Sequence, residues 1–296
     1  MYNLMVTFCK ECMAMYKFPI GVIIDSFRVD IKTAVRKAAE VGANGIQVYS
    51  TSGEMAPENL VGQKRADFRN LVADNGLVIS ALCGDLGGGG FTNPENNVWK
   101  IEKSKRILDL AKELGTDVVT THIGVVPEDE NADRFKIMQE ACFELSRYAD
   151  NIGAHFAIET GPEKSATLKK FLDSLGSTGV GVNLDPAYLV MVTGDDPAGA
   201  VHNLKDYIVH THAKDGKQNY YVDPDIIYGM VESHIVTADS FIEVPLGEGS
   251  VNWDEYLKAL EDIGYKGFLT IEREVGDDPE KDIRKAVEFL NGKMGA

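Results

Sequence analysis

Four apolar runs in the second half of the chain each end in a side chain that can ligate a metal or move a proton. They are Phe156-Ala-Ile-Glu159, Gly181-Val-Asn-Leu-Asp185, Ile208-Val-His-Thr-His212 and Phe268-Leu-Thr-Ile-Glu272. His210 and His212 are two residues apart and Lys214 follows two later, so an extended strand puts all three on one face. Three carboxylates and an imidazole make a hard, oxygen-rich donor set for one divalent ion. Mn²⁺ is the first choice and Mg²⁺ the next, with Co²⁺ and Zn²⁺ tolerated. Each residue also has an ordinary role open to it. Asp185 precedes Pro186 and is placed to cap a helix, Glu159 alone could be a cap or surface group, and either histidine could be buried and bonded to backbone. Their co-occurrence favours the metal, because three converging carboxylates repel one another and raise each other's pKa unless a cation offsets them.

Such ligands meet only if their strands are neighbours. Glu159, Asp185 and His212 are 26 and 27 residues apart, one strand-helix repeat each, and the longer interval to Glu272 holds an insertion and one helix. The same repeat runs back to Pro19. Strands are predicted over 20–25, 45–49, 78–83, 117–122, 155–159, 180–185, 208–212 and 267–272. Helical spacing is predicted near 31–41, 58–75, 97–115, 130–152, 165–175, 196–205 and 279–291, with glycine near helix ends at 42, 76, 115, 153, 176 and 264. Eight such units predict a single-domain α/β protein, a (β/α)8 TIM barrel, with chemistry at the C-terminal ends of the strands. Neighbouring strands there are ~4.8 Å apart, so four ends can reach one point. His122, closing strand four, is a candidate for orienting a substrate hydroxyl or for acid/base work, or else a polar residue packed beneath the site.

At 296 residues the chain suits one barrel. Residues 1–18 read as an N-terminal extension, and 217–250, with Tyr220, Tyr221, Tyr228 and a Gly247-Glu-Gly249 turn, as a long loop insertion after strand seven. That insertion is either a lid or specificity element or a solvated excursion without a role. A net charge of −16, with no Lys/Arg run longer than a pair, argues against nucleic-acid binding. No run approaches the ~18–20 apolar residues of a membrane span, and no leader pattern opens the sequence, so the expected location is cytoplasmic. Cys9 and Cys12 form a lone C-x-x-C read as chance spacing, and Cys83 and Cys142 fall in apolar patterns, so no disulfide framework is expected.

Ile158-Glu159, Val182-Asn-Leu-Asp185-Pro186, His210-Thr-His212-Ala-Lys214-Asp215-Gly216, Leu246-Gly-Glu-Gly249 and Ile271-Glu272, in that order, resemble the sugar phosphate isomerase/epimerase superfamily. These are the xylose-isomerase-like barrels that include ketose 3-epimerases, inosose dehydratases and endonuclease IV. The resemblance covers about residues 19–292. It implies one divalent metal held by Glu159, Asp185, His212 and Glu272, with Glu159 and Glu272 also serving as the acid/base pair in the epimerase branch. The expected partner is a small sugar or keto-sugar, with His122, Lys214, His210 and Tyr188 as candidate contacts. The pattern departs from ketose 3-epimerases at two substrate-binding positions. Tyr188 stands where they have histidine, and Gln218 where they have arginine.

Proton abstraction beside a carbonyl, giving an isomerase or epimerase, is the leading expectation. A lyase or dehydratase using the same enolate chemistry is the alternative. An endonuclease of the repair type is opposed by the charge and by only six histidines. A non-catalytic partner subunit would use the insertion as its interface, and a symmetric homo-oligomer is compatible with the fold.

Overall fold

The computed structural model describes residues 17–235 and 237–295. Cys9 and Cys12 and nearly all of the N-terminal extension lie outside the described residues. The first half contains β1 (Ile20–Ile23), α1 (Ile31–Glu40), β2 (Gly45–Tyr49), α2 (Gln63–Asp74), β3 (Val78–Cys83), α3 (Pro94–Leu114), β4 (Val118–Thr121) and α4 (Asp133–Ile152). The second half continues with β5 (His155–Glu159), α5 (Ser165–Leu175), β6 (Val180–Leu184), α6 (Pro186–Tyr188), α7 (Pro197–Leu204) and β7 (Ile208–Ala213). It ends with β8 (Asp215–Gln218), α8 (Pro224–Ile227), β9 (Phe241–Val244), α9 (Trp253–Asp262), β10 (Leu269–Ile271) and α10 (Pro279–Met294).

Eight strands close one parallel barrel in the order β1-β10-β7-β6-β5-β4-β3-β2, as the repeat predicts. The strands are buried on both faces, helices covering them outside and side chains filling the barrel inside, with polar residues such as Gln47, Asn183, His210 and His212 among the inward ones. The six glycines expected at helix ends all adopt positive φ. Helix starts drift from the periodic reading where a cap decides them. The Asn93 side chain accepts from the Glu95 and Asn96 amides, so α3 begins at Pro94.

The insertion is more ordered than a loop. Its root strand β8 pairs antiparallel with β9, Gly216 opposite Glu243 and Gln218 opposite Phe241, and α8 lies between them. Buried Asp215 anchors the base of this hairpin. It accepts hydrogen bonds from the Gly216, Gly247 and Val251 amides and from Trp253 Nε1, at 2.9–3.2 Å. A Cβ at Gly249 would stand 1.9 Å from Asp215 Oδ1, so the second glycine of Leu246-Gly-Glu-Gly249 is fixed by that approach. Among the described residues no helix is long and apolar enough to cross a membrane.

Candidate metal centre

Glu159 ends β5, Asp185 follows β6, His212 lies near the end of β7 and Glu272 follows β10, four neighbouring strands of the barrel. All four side chains are buried, and one ligand atom from each lies within 4.8 Å of the others. From His212 Nδ1 the distances are 3.4 Å to Glu159 Oε1, 3.5 Å to Asp185 Oδ2 and 3.4 Å to Glu272 Oε2. Donors bonded at about 2.1 Å to a four-coordinate ion stand about 3.4 Å apart, so this spacing fits a first-row or magnesium-sized cation.

Asp185 shows how the fold combines its two expected roles. Its Oδ1 accepts from the Ala187 and Tyr188 amides at 2.7 and 3.1 Å, capping α6, while the buried Oδ2 has no hydrogen-bond partner among the described residues. An orphaned carboxylate oxygen turned toward two further carboxylates is the environment a cation completes. Electrostatics agree. Burial alone would push the His212 imidazole down, yet Glu159 and Glu272 hold it well above its usual range. Burial raises Asp185, whereas Lys214 and His212 outweigh burial to bring Glu272 well below the usual carboxylate range.

His212 is oriented from below. Its Nε2 lies 3.2 Å from Gln47 Oε1, so the tautomer protonated there donates to Gln47 and leaves the Nδ1 lone pair facing the carboxylates. Gln47 is fixed in turn by donating to Thr120 Oγ1 at 2.9 Å. Asn183 Nδ2 donates to Glu159 Oε2 at 3.1 Å. Neither residue was singled out from sequence, although the alternation Gly45-Ile-Gln47 and Asn183-Leu-Asp185 puts both on inward faces.

The candidate substrate contacts divide. His122 Nε2 stands 3.5 Å from Glu159 Oε1, and its ring meets Tyr188 edge-on at 5.8 Å. Lys214 Nζ lies 3.0 Å from Glu272 Oε2, 3.5 Å from Glu243 Oε2 and 4.6 Å from the Tyr188 ring centre, and it also bonds Glu274. Tyr188 in turn donates to Glu274 Oε2 at 3.1 Å. His210 does not join them. It lies one strand repeat deeper in the barrel, with Nε2 at 3.0 Å from Gln47 Oε1 and 2.9 Å from Thr270 Oγ1. Burial and the neighbouring His212 push its pKa down to about 3, so it stays neutral.

Other groups at this end carried weak sequence signals. Glu274 is two residues past Glu272 and shares its face. Glu243 comes from β9, where it accepts from Arg273 and so ties the hairpin to the end of β10. Glu163, beyond β5, accepts the Val126 amide at 3.1 Å, and burial raises its carboxyl to about 8.

The family model for the xylose isomerase-like TIM barrel matches residues 35–293. The chain belongs to that family. Among curated family relatives, the uncharacterized protein YfiH of Bacillus subtilis is 32% identical over 130 residues, 42% of this chain and 40% of its own length. An inosose dehydratase of Bacillus thuringiensis is 26% identical over 158 residues, 51% of this chain and 52% of its own. The chain thus spans about half the length or less of these two relatives. Among solved structures of this fold, a xylose isomerase domain protein from Planctomyces limnophilus is 25% identical with a TM-score of 0.74, covering 93% of this chain and 96% of that one. The 3-keto-D-glucoside 4-epimerase of E. coli is 16% identical with a TM-score of 0.70, covering 93% and 100%. A barrel from Mycobacterium smegmatis, solved in complex with magnesium, is 18% identical with a TM-score of 0.68, covering 94% and 97%.

Proposed function

We propose that the protein is a divalent-metal-dependent sugar isomerase or epimerase that moves a proton at the carbon beside a substrate carbonyl. The observation that carries this reading is the convergence of buried Glu159, Asp185, His212 and Glu272 at the C-terminal mouth of the barrel. These residues would hold the ion, and their oxygen-rich set favours Mn²⁺, with Mg²⁺ next. When bound, such a cation polarises a carbonyl oxygen and stabilises the charge that develops as the adjacent C–H is deprotonated.

The chain's own groups then divide the work. Glu159 and Glu272 reach the centre from strands separated in the barrel by β6 and β7. One carboxylate takes the proton from carbon, and the other carboxyl returns one to the opposite face. His122 stands beside Glu159 and Lys214 beside Glu272, so each glutamate has a cationic or proton-sharing neighbour. Lys214 also orients the Glu272 carboxylate, and Tyr188 walls the space between Lys214 and His122. His210 acts from beneath, by bonding the Gln47 that positions His212.

A second reading is a lyase or dehydratase acting on a keto-sugar, inosose or 3-keto-glycoside. Proton abstraction is the same, and the group β to the carbonyl then leaves. The inosose dehydratases among the relatives favour it, and His122 or Lys214 would protonate the leaving oxygen.

Both readings are tested by incubating Mn²⁺-reconstituted protein with ketoses, inososes and 3-keto-glycosides in D2O and following the products by NMR. Deuterium beside the carbonyl of an intact, rearranged sugar is the outcome expected. Release of water or an aglycone would move the assignment to the lyase, and a metal-loaded protein that exchanges nothing in the panel would sink both.

A further inference from the structure

The insertion carries a polar group that the reaction above does not use and that no ion pair or hydrogen bond among the described residues satisfies. Tyr228 follows α8, and its ring packs with Tyr188, Ile227 and Phe241 onto the buried patch of Ala187, Met191 and Val192 beyond β6. Its hydroxyl is buried and has no hydrogen-bond partner among the described residues. An orphaned buried hydroxyl destabilises a fold, and a phenylalanine ring would fill the same space without one.

The segment that carries it is clamped to the barrel. Arg134 Nη2, on α4, donates to both Asp225 carboxylate oxygens at 2.8 and 2.9 Å. At the root of the hairpin, Gln218 Nε2 donates to the Met191 and Val192 carbonyls at 3.1 and 3.0 Å. The Tyr228 amide closes the α8 turn on the Pro224 carbonyl at 2.9 Å. A firmly held carrier that ends in an unused donor is how a protein presents a ligand contact.

We propose that Tyr228 is a specificity-determining residue of this site, its hydroxyl donating a hydrogen bond to an oxygen of the bound sugar while the Arg134–Asp225 pair keeps it in place. The inference rests on the sugar-enzyme reading given above. Burial first, and then the Glu163 and Glu159 carboxylates, raise the Tyr228 pKa, so the phenol remains a neutral donor. As a neutral donor, the phenol is matched to a hydroxyl or carbonyl oxygen of the sugar.

The test compares wild type with Tyr228→Phe in the metal-loaded protein, using ketohexoses, inososes and their monodeoxy analogues as probes. The melting temperature of the variant is expected to equal or exceed that of wild type. For the probe that wild type exchanges in D2O, KM should rise about tenfold, the worth of one neutral hydrogen bond. One monodeoxy analogue should bind wild type about tenfold more weakly than its parent yet bind both proteins equally. A lowered melting temperature with unchanged KM would make the hydroxyl a structural bond and overturn the proposal, as would equal losses for every analogue in both proteins. If wild type exchanges no probe, the sugar reading falls and takes the proposal with it. That result is distinct from exchange that Tyr228→Phe leaves untouched.

Discussion

The two flanks of the candidate metal centre are built in opposite ways. On the β10 side every buried charge is matched. Lys214 meets Glu272, Glu243 and Glu274, and Arg273 links Glu243 to Asp282. On the β4–β5 side the polar atoms are left open, with His122 Nδ1 and the Tyr228 hydroxyl both buried and without a partner among the described residues. A satisfied network fixes the geometry of a ligand, whereas orphaned donors and acceptors are completed by something that arrives. The contrast is that Glu272 is held by a cationic network, whereas Glu159 neighbours His122, whose Nδ1 has no partner among the described residues.

The sharpest way to break this contrast is to neutralise each glutamate in turn. Glu159→Gln and Glu272→Gln are both expected to lower turnover by at least about 10³-fold, each removing a ligand and a proton carrier at nearly constant volume. Their stabilities should differ. In metal-free protein Glu272→Gln costs about 1–3 kcal/mol because Lys214 loses a charged partner, while Glu159→Gln costs less, because the attraction it gives up to His122 and His212 is partly offset by relief of its repulsion with Glu272. Urea denaturation with chelator present measures both, and equal stabilities would remove the distinction between the flanks.

Lys214→Met strips the saturated flank of its cation and should cost about 3–5 kcal/mol, since three carboxylates are left facing one another. Adding Glu274→Gln should recover part of that loss. A smaller effect is expected beneath the centre. Gln47→Leu removes the acceptor that orients His212 and should weaken Mn²⁺ binding about 10–100-fold, read by competition with a chelator.

The effect on the open flank depends on pH. Burial raises Glu163 from 4.5 to about 8, so the folded state binds a proton there that the unfolded state has released. The stability this group contributes is complete below pH 4.5 and is lost as pH rises toward 8. Glu163→Gln keeps an acceptor for the Val126 amide and removes the titration. Its melting temperature relative to wild type should therefore climb from pH 5 to pH 8, and a flat difference would place the Glu163 carboxyl in a wetter setting.

The barrel and the convergence of Glu159, Asp185, His212 and Glu272 were legible because each rests on a short-range signal: an apolar run, a turn glycine, and a carboxylate or imidazole where the run stops. The inner support was half legible. Alternation assigns Gln47 and Asn183 to the inward face, but which of the inward polar residues meets His212 depends on the sideways alignment of β2 and β7 across the barrel, which no local pattern encodes. The same alignment separates His210 from His212. They share a face, yet the strand repeat sets one inside the barrel and the other at its mouth. Least legible was the insertion. Glu243 reaches Lys214 only through antiparallel pairing with β8, and Tyr228 is aimed by an ion pair between residues 91 positions apart.

The cage around Asp215 separates two parts of one chain, the barrel and the hairpin set on it. Because the hairpin is rooted on the residue next to Lys214 and bolted there to the indole of Trp253, its distal part can be exchanged, lengthened or redecorated without disturbing the charge beside Glu272. Such a barrel is a chassis with a replaceable head. New selectivity is most readily engineered between residues 219 and 240, where the chain leaves one strand of the hairpin and returns to the other.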